Sequence, residues 1–350
     1  MEMRRLGKSD IEVNPIGMGC WAYGGGEYWG EQNQKDVDNL VHKALDIGLN
    51  LFDTAEVYNN GASEESLGKA LRGKRHKAVV CSKVSPSNTR SEILRNHCEA
   101  SLKRLGTDYL DTYMLHWPIN YSAIKHFTED KGILSKPPSV QEAFETLIAL
   151  QKEGKIRHIG VSNFGVKQIA EAKATGANII LNEIAYNILS RAIEKDIVPY
   201  CLDNEIAIIG SMALQQGLLA GIYATADDVP YHQAHSRHFR QERGMGTSRH
   251  NGNGAEKEVF EAIGQLKDIA SELGVHIAQL AIAWVIAKPG IKCTLVGSRN
   301  INELEANIKA GSLNLSNEII NKIDIIGEPV LMKLGYNPDY YESEENSRIE

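Results

Sequence analysis

The chain has 350 residues, of which 42% are hydrophobic and 24% charged, with a formal net charge of -7. Such a length can bury one barrel-sized core or two smaller ones. The acidic balance argues against a nucleic-acid binder, which would show a basic stripe, and no run approaches the roughly 18 apolar residues that span a bilayer.

The opening MEMRRLGKSD carries no apolar leader segment. Cys20, Cys81, Cys98, Cys201 and Cys293 are odd in number and scattered through apolar runs without metal-ligand spacing. A cytoplasmic protein with reduced core thiols, no metal, and neither nucleic acid nor membrane as partner is expected. The sequons at Asn120 and Asn314 are read as chance matches.

In chain order, residues 1–17 read as a β-hairpin able to plug the far end of a barrel. Lys35–Ile47 is an amphipathic helix, with Val37, Leu40, Val41, Ala44 and Leu45 on one face and Gly48 as its stop. Short apolar, often β-branched runs predict strands at Asn50–Asp53, Ala78–Ser82, Tyr109–Leu115, His158–Ser162, Ile179–Glu183, Ile206–Gly210 and Cys293–Val296, with Ser312–Leu315 as a short final candidate. Between them, Thr89 with Glu92 and Ser139 with Glu142 have the spacing of capping boxes, and Asn300 precedes Glu303 in the same way. Further helices are expected at Glu256–Leu273 and Ile277–Ala287, closed by Gly274 and Pro289.

About eight strand–helix units in one chain point to a single (α/β)8 barrel domain over 1–350. An open doubly wound sheet is the alternative, but its glycine fingerprint between strand and helix is missing. Two long insertions, 117–138 and 223–254, fall on the strand-end face, where loops of that length serve as lids or binding loops. The tail 342–350 reads as solvated and disordered.

Four polar residues stand where predicted strands run out: Asp53 and Tyr58 in NLFDTAEVY, Lys83 in AVVCSK, and His116 in DTYMLHWP. Singly, each has a bland reading as a cap, a solvated strand end or a loop residue. Together at one rim they form a proton-donor set. A free phenol has a pKa near ~10. A neighbouring ammonium stabilises the phenolate, a carboxylate fixes the ammonium, and an imidazole orients a carbonyl.

The strings IGMGCWAYGG (16–25), FDTAEVYNNGASEESLGKAL (52–71), LHWP (115–118), GKIRHIGVSNF (154–164), AYNILSRAIEKDIVPYC (185–201), VGSRN (296–300) and NELEANIKA (302–310) resemble the aldo-keto reductase superfamily over nearly the whole chain. The resemblance implies an (α/β)8 barrel with NADP(H) at the strand-end face, NAD(H) being the alternative. It implies a catalytic tetrad of Asp53, Tyr58, Lys83 and His116. It places Ser162, Asn163 and Glu183 around the nicotinamide, with Tyr186 stacked on its ring, and Trp21 among the cofactor-binding residues. Ser211, Met212, Leu214 and Gln216 lie in a segment (210–221) that wraps the pyrophosphate. Gly297, Ser298, Arg299, Glu303 and Asn307 lie where the adenosine and its 2′-phosphate bind.

The chain departs from the family pattern in three places. Glu183 and Glu303 replace glutamines, and Ser211-Met212 replaces a Tyr-Ser pair. An anionic Glu183 would favour the oxidised, cationic nicotinamide, and loss of the hydroxyl at 212 would weaken cofactor binding. Trp21, Tyr23, Trp29 and Trp117 sit in loops predicted to line the pocket, their bland reading being loop-anchoring core aromatics.

The insertion is a local basic cluster: His232, His235, Arg237, His238, Arg240, Arg243, Arg249 and His250. It reads as a solvated loop, a metal tract with His232, His235 and His238 on one helical face, or an anion-facing lid. The expected substrate is a polar aldehyde, ketone or sugar-like molecule. The alternatives are a cofactor-sensing subunit, like the potassium-channel β-subunits of this fold, and a sugar-modifying enzyme that uses nicotinamide without net redox.

Overall fold

The computed structural model of the protein describes residues 1–26 and 28–350. Eight parallel strands close into a barrel. A short antiparallel hairpin, β1 (Arg4–Arg5) and β2 (Glu12–Val13), precedes them. The barrel strands are β3 (Ile16–Gly19), β4 (Leu51–Asp53), β5 (Val79–Val84), β6 (Leu110–Leu115), β7 (Ile156–Ser162), β8 (Ile179–Ala185), β9 (Ala207–Ser211) and β10 (Ile291–Val296). They neighbour one another in chain order, and β10 closes on β3.

The eighth strand is therefore Ile16–Gly19 at the start, not Ser312–Leu315. The latter lies at a 3₁₀ turn over Ala310–Ser312 and the connection to the helix Asn317–Leu334. The expected hairpin 1–17 accordingly ends at Val13, and Ile16 and Gly17 belong to the barrel. The IGMG run hides its strand character because its inward positions are glycines. A Cβ on Gly17 would lie 2.7 Å from the Leu51 side chain and 3.0 Å from Cys293 Sγ; at Gly160 on β7 it would meet Met114 Cγ at 2.9 Å. The barrel axis is too crowded at these points for any side chain.

Strand periodicity builds the site. Leu51, Cys81, Met114, Leu181, Ile209 and Cys293 pack together inside the barrel, with Leu6, Ile11 and Val13 of the hairpin closing one end. Two residues further along each strand the side chain again points inward. On β4, β5, β8 and β9 and just past β6, those next positions are Asp53, Lys83, Glu183, Ser211 and His116, while Leu295 on β10 stays with the apolar cluster. The polar layer thus sits directly on the apolar one.

The helices pack their apolar faces on the outside of the barrel. Gln34–Asp46 buries Val37, Leu40, Val41 and Ala44 and is capped by Asn33. Ser139 accepts from the Glu142 N–H as expected, but the Glu142 carboxylate reaches Ser91 N instead of closing the box. The Thr89–Glu92 box does not form: the Thr89 hydroxyl donates to Pro86 O, and the helix Ser91–Leu105 starts from Arg90. Among the described residues no single helix is long and apolar enough to cross a membrane. All five cysteines are buried and free.

The tail is exposed at Glu344, Glu345, Asn346 and Glu350 but buried at Glu342, Ser343, Arg348 and Ile349. Arg348 is fully buried, pairs with Asp339 at 2.7 Å, and lays its guanidinium 3.5 Å over the Trp117 ring. The insertion 223–254 packs against it through Arg249–Glu342 at 2.6 Å and Asn251–Ser343 at 3.0 Å.

Candidate active site

Lys83 stands at the second-last position of β5, fully buried. Its Nζ lies 2.5 Å from each Asp53 carboxylate oxygen, 3.1 Å from Thr54 O, 3.2 Å from the Tyr58 hydroxyl and 3.4 Å from Glu183 Oε1. Asp53 ends β4, and Tyr58 returns over it because the chain reverses at once. Asn59, Asn60 and Gly61 all take positive φ (48°, 52° and 86°), and asparagine and glycine tolerate that region best. The His116 ring lies 5.7 Å from that of Tyr58, nearly perpendicular, with Nδ1 buried and unpartnered. The four predicted residues are thus brought to one point.

Their charge states follow from burial and neighbours. Burial alone would lower the Lys83 pKa, but Asp53, Glu183 and Tyr58 hold it well above its ordinary value. Burial raises the Tyr58 phenol above its ordinary value; Lys83 pulls it back, while Asp53 and Glu183 push the same way as burial. The expected acidification by Lys83 is present in sign but outweighed, so Tyr58 is a protonated donor at neutral pH. Burial and then Lys83 hold the His116 imidazole well below its usual range, hence neutral. Burial and Asp53 push the Glu183 carboxyl well above its usual range. With the ammonium on both its oxygens, Asp53 keeps the charge and Glu183 keeps the proton. An anionic Glu183 was the expectation; the neighbouring Asp53 carboxylate prevents it in this state.

Ser162, Asn163 and Glu183 converge beside the tetrad. Asn163 adopts φ 59°, its N–H donates to Glu183 O at 2.8 Å, and its side-chain amide donates to His116 O and Ser162 Oγ, each at 3.0 Å. Tyr186 does not join them. Its ring packs against Trp284 of the helix Ile277–Ala287, and its hydroxyl donates to Glu194 at 2.5 Å. Being one residue past the end of β8, it turns into the helical layer, which corrects the stacking role.

Of the aromatics, Trp21 stacks on Tyr58 with centroids 5.8 Å apart and on Tyr28 at 5.1 Å, with Trp29 edge-on at 5.2 Å. Trp117 is mostly buried beneath Arg348. Tyr23 belongs to the core at 2% exposure and does not reach the pocket. Tyr28, Phe127 (6.0 Å from His116) and the tail residue Arg348 complete the surroundings. Tyr28 shared the aromatic run of Trp21–Trp29 and was legible there. Nothing local in the tail marked Arg348.

Ser211 ends β9, and the next segment is contorted: Met212, Gln215 and Gln216 all take positive φ (59°, 48° and 51°). Asn187 holds it through Met212 O at 2.9 Å and Gln215 Oε1 at 2.6 Å, and Gln216 donates to the Tyr28 hydroxyl at 2.9 Å. Leu214 packs against the core. After β10, the Asn307 amide donates to Ser298 Oγ at 3.1 Å and to Gly297 O at 3.4 Å. The Arg299 guanidinium donates to Glu31 O at 2.8 Å, and its backbone N–H to Glu303. Arg299, Glu31 and Glu303 border a cleft of about 770 Å³ that is also lined by Gly24–Gly26, Gln32, Asn33, Asp36 and Asn300.

The basic insertion spends its charge internally. Arg243 pairs with Glu256 at 2.6 Å and Asp227 at 2.7 Å, Arg249 pairs with Glu342, and Arg237 donates to the carbonyls of Leu334 and Asn337. The stretch 231–239 forms turns, so His232, His235 and His238 share no helical face. Neither the metal tract nor the solvated loop describes it.

The model of the Aldo/keto reductase family matches residues 15–328. The chain belongs to the aldo/keto reductase family of oxidoreductases. It is 31% identical to the aldo-keto reductase YhdN of Bacillus subtilis, with 94% of each chain covered. It is also 31% identical to the NADH-specific methylglyoxal reductase of Escherichia coli, over 89% of this chain and 94% of that one. Among solved structures, an aldo/keto reductase of Klebsiella pneumoniae in complex with NADP and acetate matches at TM-score 0.70 and 27% identity, covering 94% of this chain and 96% of the other. The glycerol dehydrogenase AKR11B4 of Gluconobacter oxydans matches at TM-score 0.75 and 27% identity, covering 96% and 97%.

Proposed function

We propose that this protein interconverts a small polar aldehyde or ketone, including sugar-like carbonyls, and its alcohol, with Tyr58 as proton donor in reduction and acceptor in oxidation. The observation that carries the reading is one buried ammonium, Lys83, held between Asp53 at 2.5 Å and the Tyr58 hydroxyl at 3.2 Å. A nicotinamide dinucleotide held at this rim would supply or take the hydride. Neutral His116 donates a hydrogen bond to the carbonyl oxygen and orients it. Tyr58 hands its proton to the developing alkoxide, and Lys83 stabilises the phenolate left behind. Trp21, Tyr28 and Phe127 exclude water from the reacting atoms.

The residues fit such a cofactor. Glu183 has a buried carboxyl oxygen with no partner, beside Ser162 and Asn163, which suits a carboxamide. Arg299 stands at the far cleft, where a 2′-phosphate would meet its guanidinium. NADP(H) is the favoured cofactor. Glu31, Asp36 and Glu303 share that cleft and oppose a phosphate, so NAD(H) is accepted with a modest penalty.

The test is Tyr58→Phe. It removes the hydroxyl and leaves the cofactor-facing residues in place. Turnover should fall at least about 100-fold, with nucleotide binding by fluorescence titration unchanged. Retained turnover would refute the role of Tyr58.

A further inference from the structure

The ammonium of Lys83 has three N–H groups, and three kinds of acceptor already take them: the Asp53 carboxylate, Thr54 O and the Tyr58 hydroxyl. Glu183 Oε1, at 3.4 Å, receives none of its own, and Oε2 has no hydrogen-bond partner among the described residues. Glu183 is 5% exposed. The charged and titratable groups facing it are Lys83 and Cys81 from β5, Asp53 from β4, Tyr58 from the loop beyond, and Cys293 from β10. Burial keeps both thiols protonated. One cation, Lys83, is therefore matched by one anion, Asp53, and an ionised Glu183 would be a second buried anion without a counter-charge.

The missing counter-charge is what an oxidised nicotinamide ring carries and a reduced one lacks. Glu183 pairs with Ser162 across β7 and β8, at the rim where the ring would lie. Building on the nicotinamide-binding reading above, we propose that Glu183 is a proton-linked sensor of the cofactor's redox state. It keeps its proton when the neutral, reduced ring is bound. It gives that proton up to solvent when the cationic, oxidised ring takes its place. The step is an acid dissociation, carboxyl to carboxylate plus a proton taken by buffer, with no oxidant or reductant involved. Oxidised cofactor then binds more tightly as pH rises, and reduced cofactor does not.

Calorimetric titration of the full-length protein with NADP⁺ and with NADPH, in two buffers of different ionisation enthalpy near neutral pH, counts protons released per site. The 2′-phosphate is common to both nucleotides, so its protonation cancels in the difference. We expect NADP⁺ to release up to one proton more than NADPH. Its Kd should tighten by up to about tenfold per pH unit while that of NADPH stays flat. In Glu183→Gln, which is nearly isosteric, both differences should vanish while binding persists. As a check that needs no variant, the infrared carbonyl band of a buried protonated carboxyl should bleach on adding NADP⁺ and persist with NADPH. Equal proton counts for the two nucleotides in the wild type would overturn the proposal, as would a difference that survives in Glu183→Gln. Absence of binding by either nucleotide, or by NAD⁺ and NADH, would instead overturn the underlying function reading.

Discussion

Lys83 shows how a residue ordinarily found in solvent is made part of a core. Its side chain is wholly buried, and its charge is tolerable only because Asp53 meets it with both oxygens. Replacing it by methionine would strand the Asp53 carboxylate. Lys83→Met should lower the unfolding free energy at pH 7 by about 3 kcal/mol, read as a lower urea midpoint. The loss should shrink at lower pH, as Asp53 takes up a proton. The double variant with Asp53→Asn should recover part of the loss, and an unchanged midpoint in the single variant would contradict this account. At this scale the four-residue cluster was legible, because three strand ends in succession carried its groups. The protonation of Glu183 was not. It depends on a carboxylate 130 positions away in sequence, and no local pattern reports such a distance.

At the scale of elements, the tail and the basic insertion form one structure across the barrel mouth. The tail leaves the helix Asn317–Leu334, and the Arg348 carbonyl accepts from Asn120 at 2.8 Å and from Gln168 at 2.9 Å. The Asp339–Arg348 pair is its buried anchor, with both side chains at most 1% exposed. In Asp339→Asn the guanidinium loses its counter-charge over Trp117. The strap should open locally before the barrel unfolds. Hydrogen exchange over 337–350 should quicken at least about tenfold, the factor that a local loss of about 1.4 kcal/mol gives, while barrel strands keep their protection. Unchanged exchange in the tail would contradict the anchoring role. The polar composition of ESEENSRIE suggested a solvated tail because composition does not reveal that one arginine finds a buried partner nine residues earlier.

For the whole molecule, the buried neutral histidines set the behaviour in acid. His238 donates from Nε2 to Leu189 O at 2.8 Å and accepts at Nδ1 from Gln215 at 2.9 Å, which fixes the neutral tautomer. Burial pushes its pKa down to about 4, from an ordinary 6.5. The unfolded chain therefore binds a proton in a window where the native protein does not. Stability is full above pH 6.5 and declines as pH falls towards 4, by up to about 3 kcal/mol. His238→Gln, which can still donate to Leu189 O, should flatten that part of the stability–pH curve measured by urea unfolding. An unaltered slope would show that other groups govern acid unfolding.

The barrel was readable because strands covered on both faces must be short apolar runs, and amphipathic helices must alternate with them. Its first strand escaped because Gly17 and Gly19 carry no β-forming signal, and at Gly17 the crowding that leaves no room for a side chain exists only in the closed barrel. The sequence alone determined the alternation of elements, the strand-end position of Asp53, Tyr58, Lys83 and His116, and the family, since these depend on neighbours along the chain. Which strand closes the barrel, that Tyr186 and Tyr23 turn into the core, that the tail lies across the mouth, and where the spare proton of the site resides were decided only by tertiary structure. Each rests on contacts between segments far apart in the chain, whose energies come from shared burial and pairing of charge.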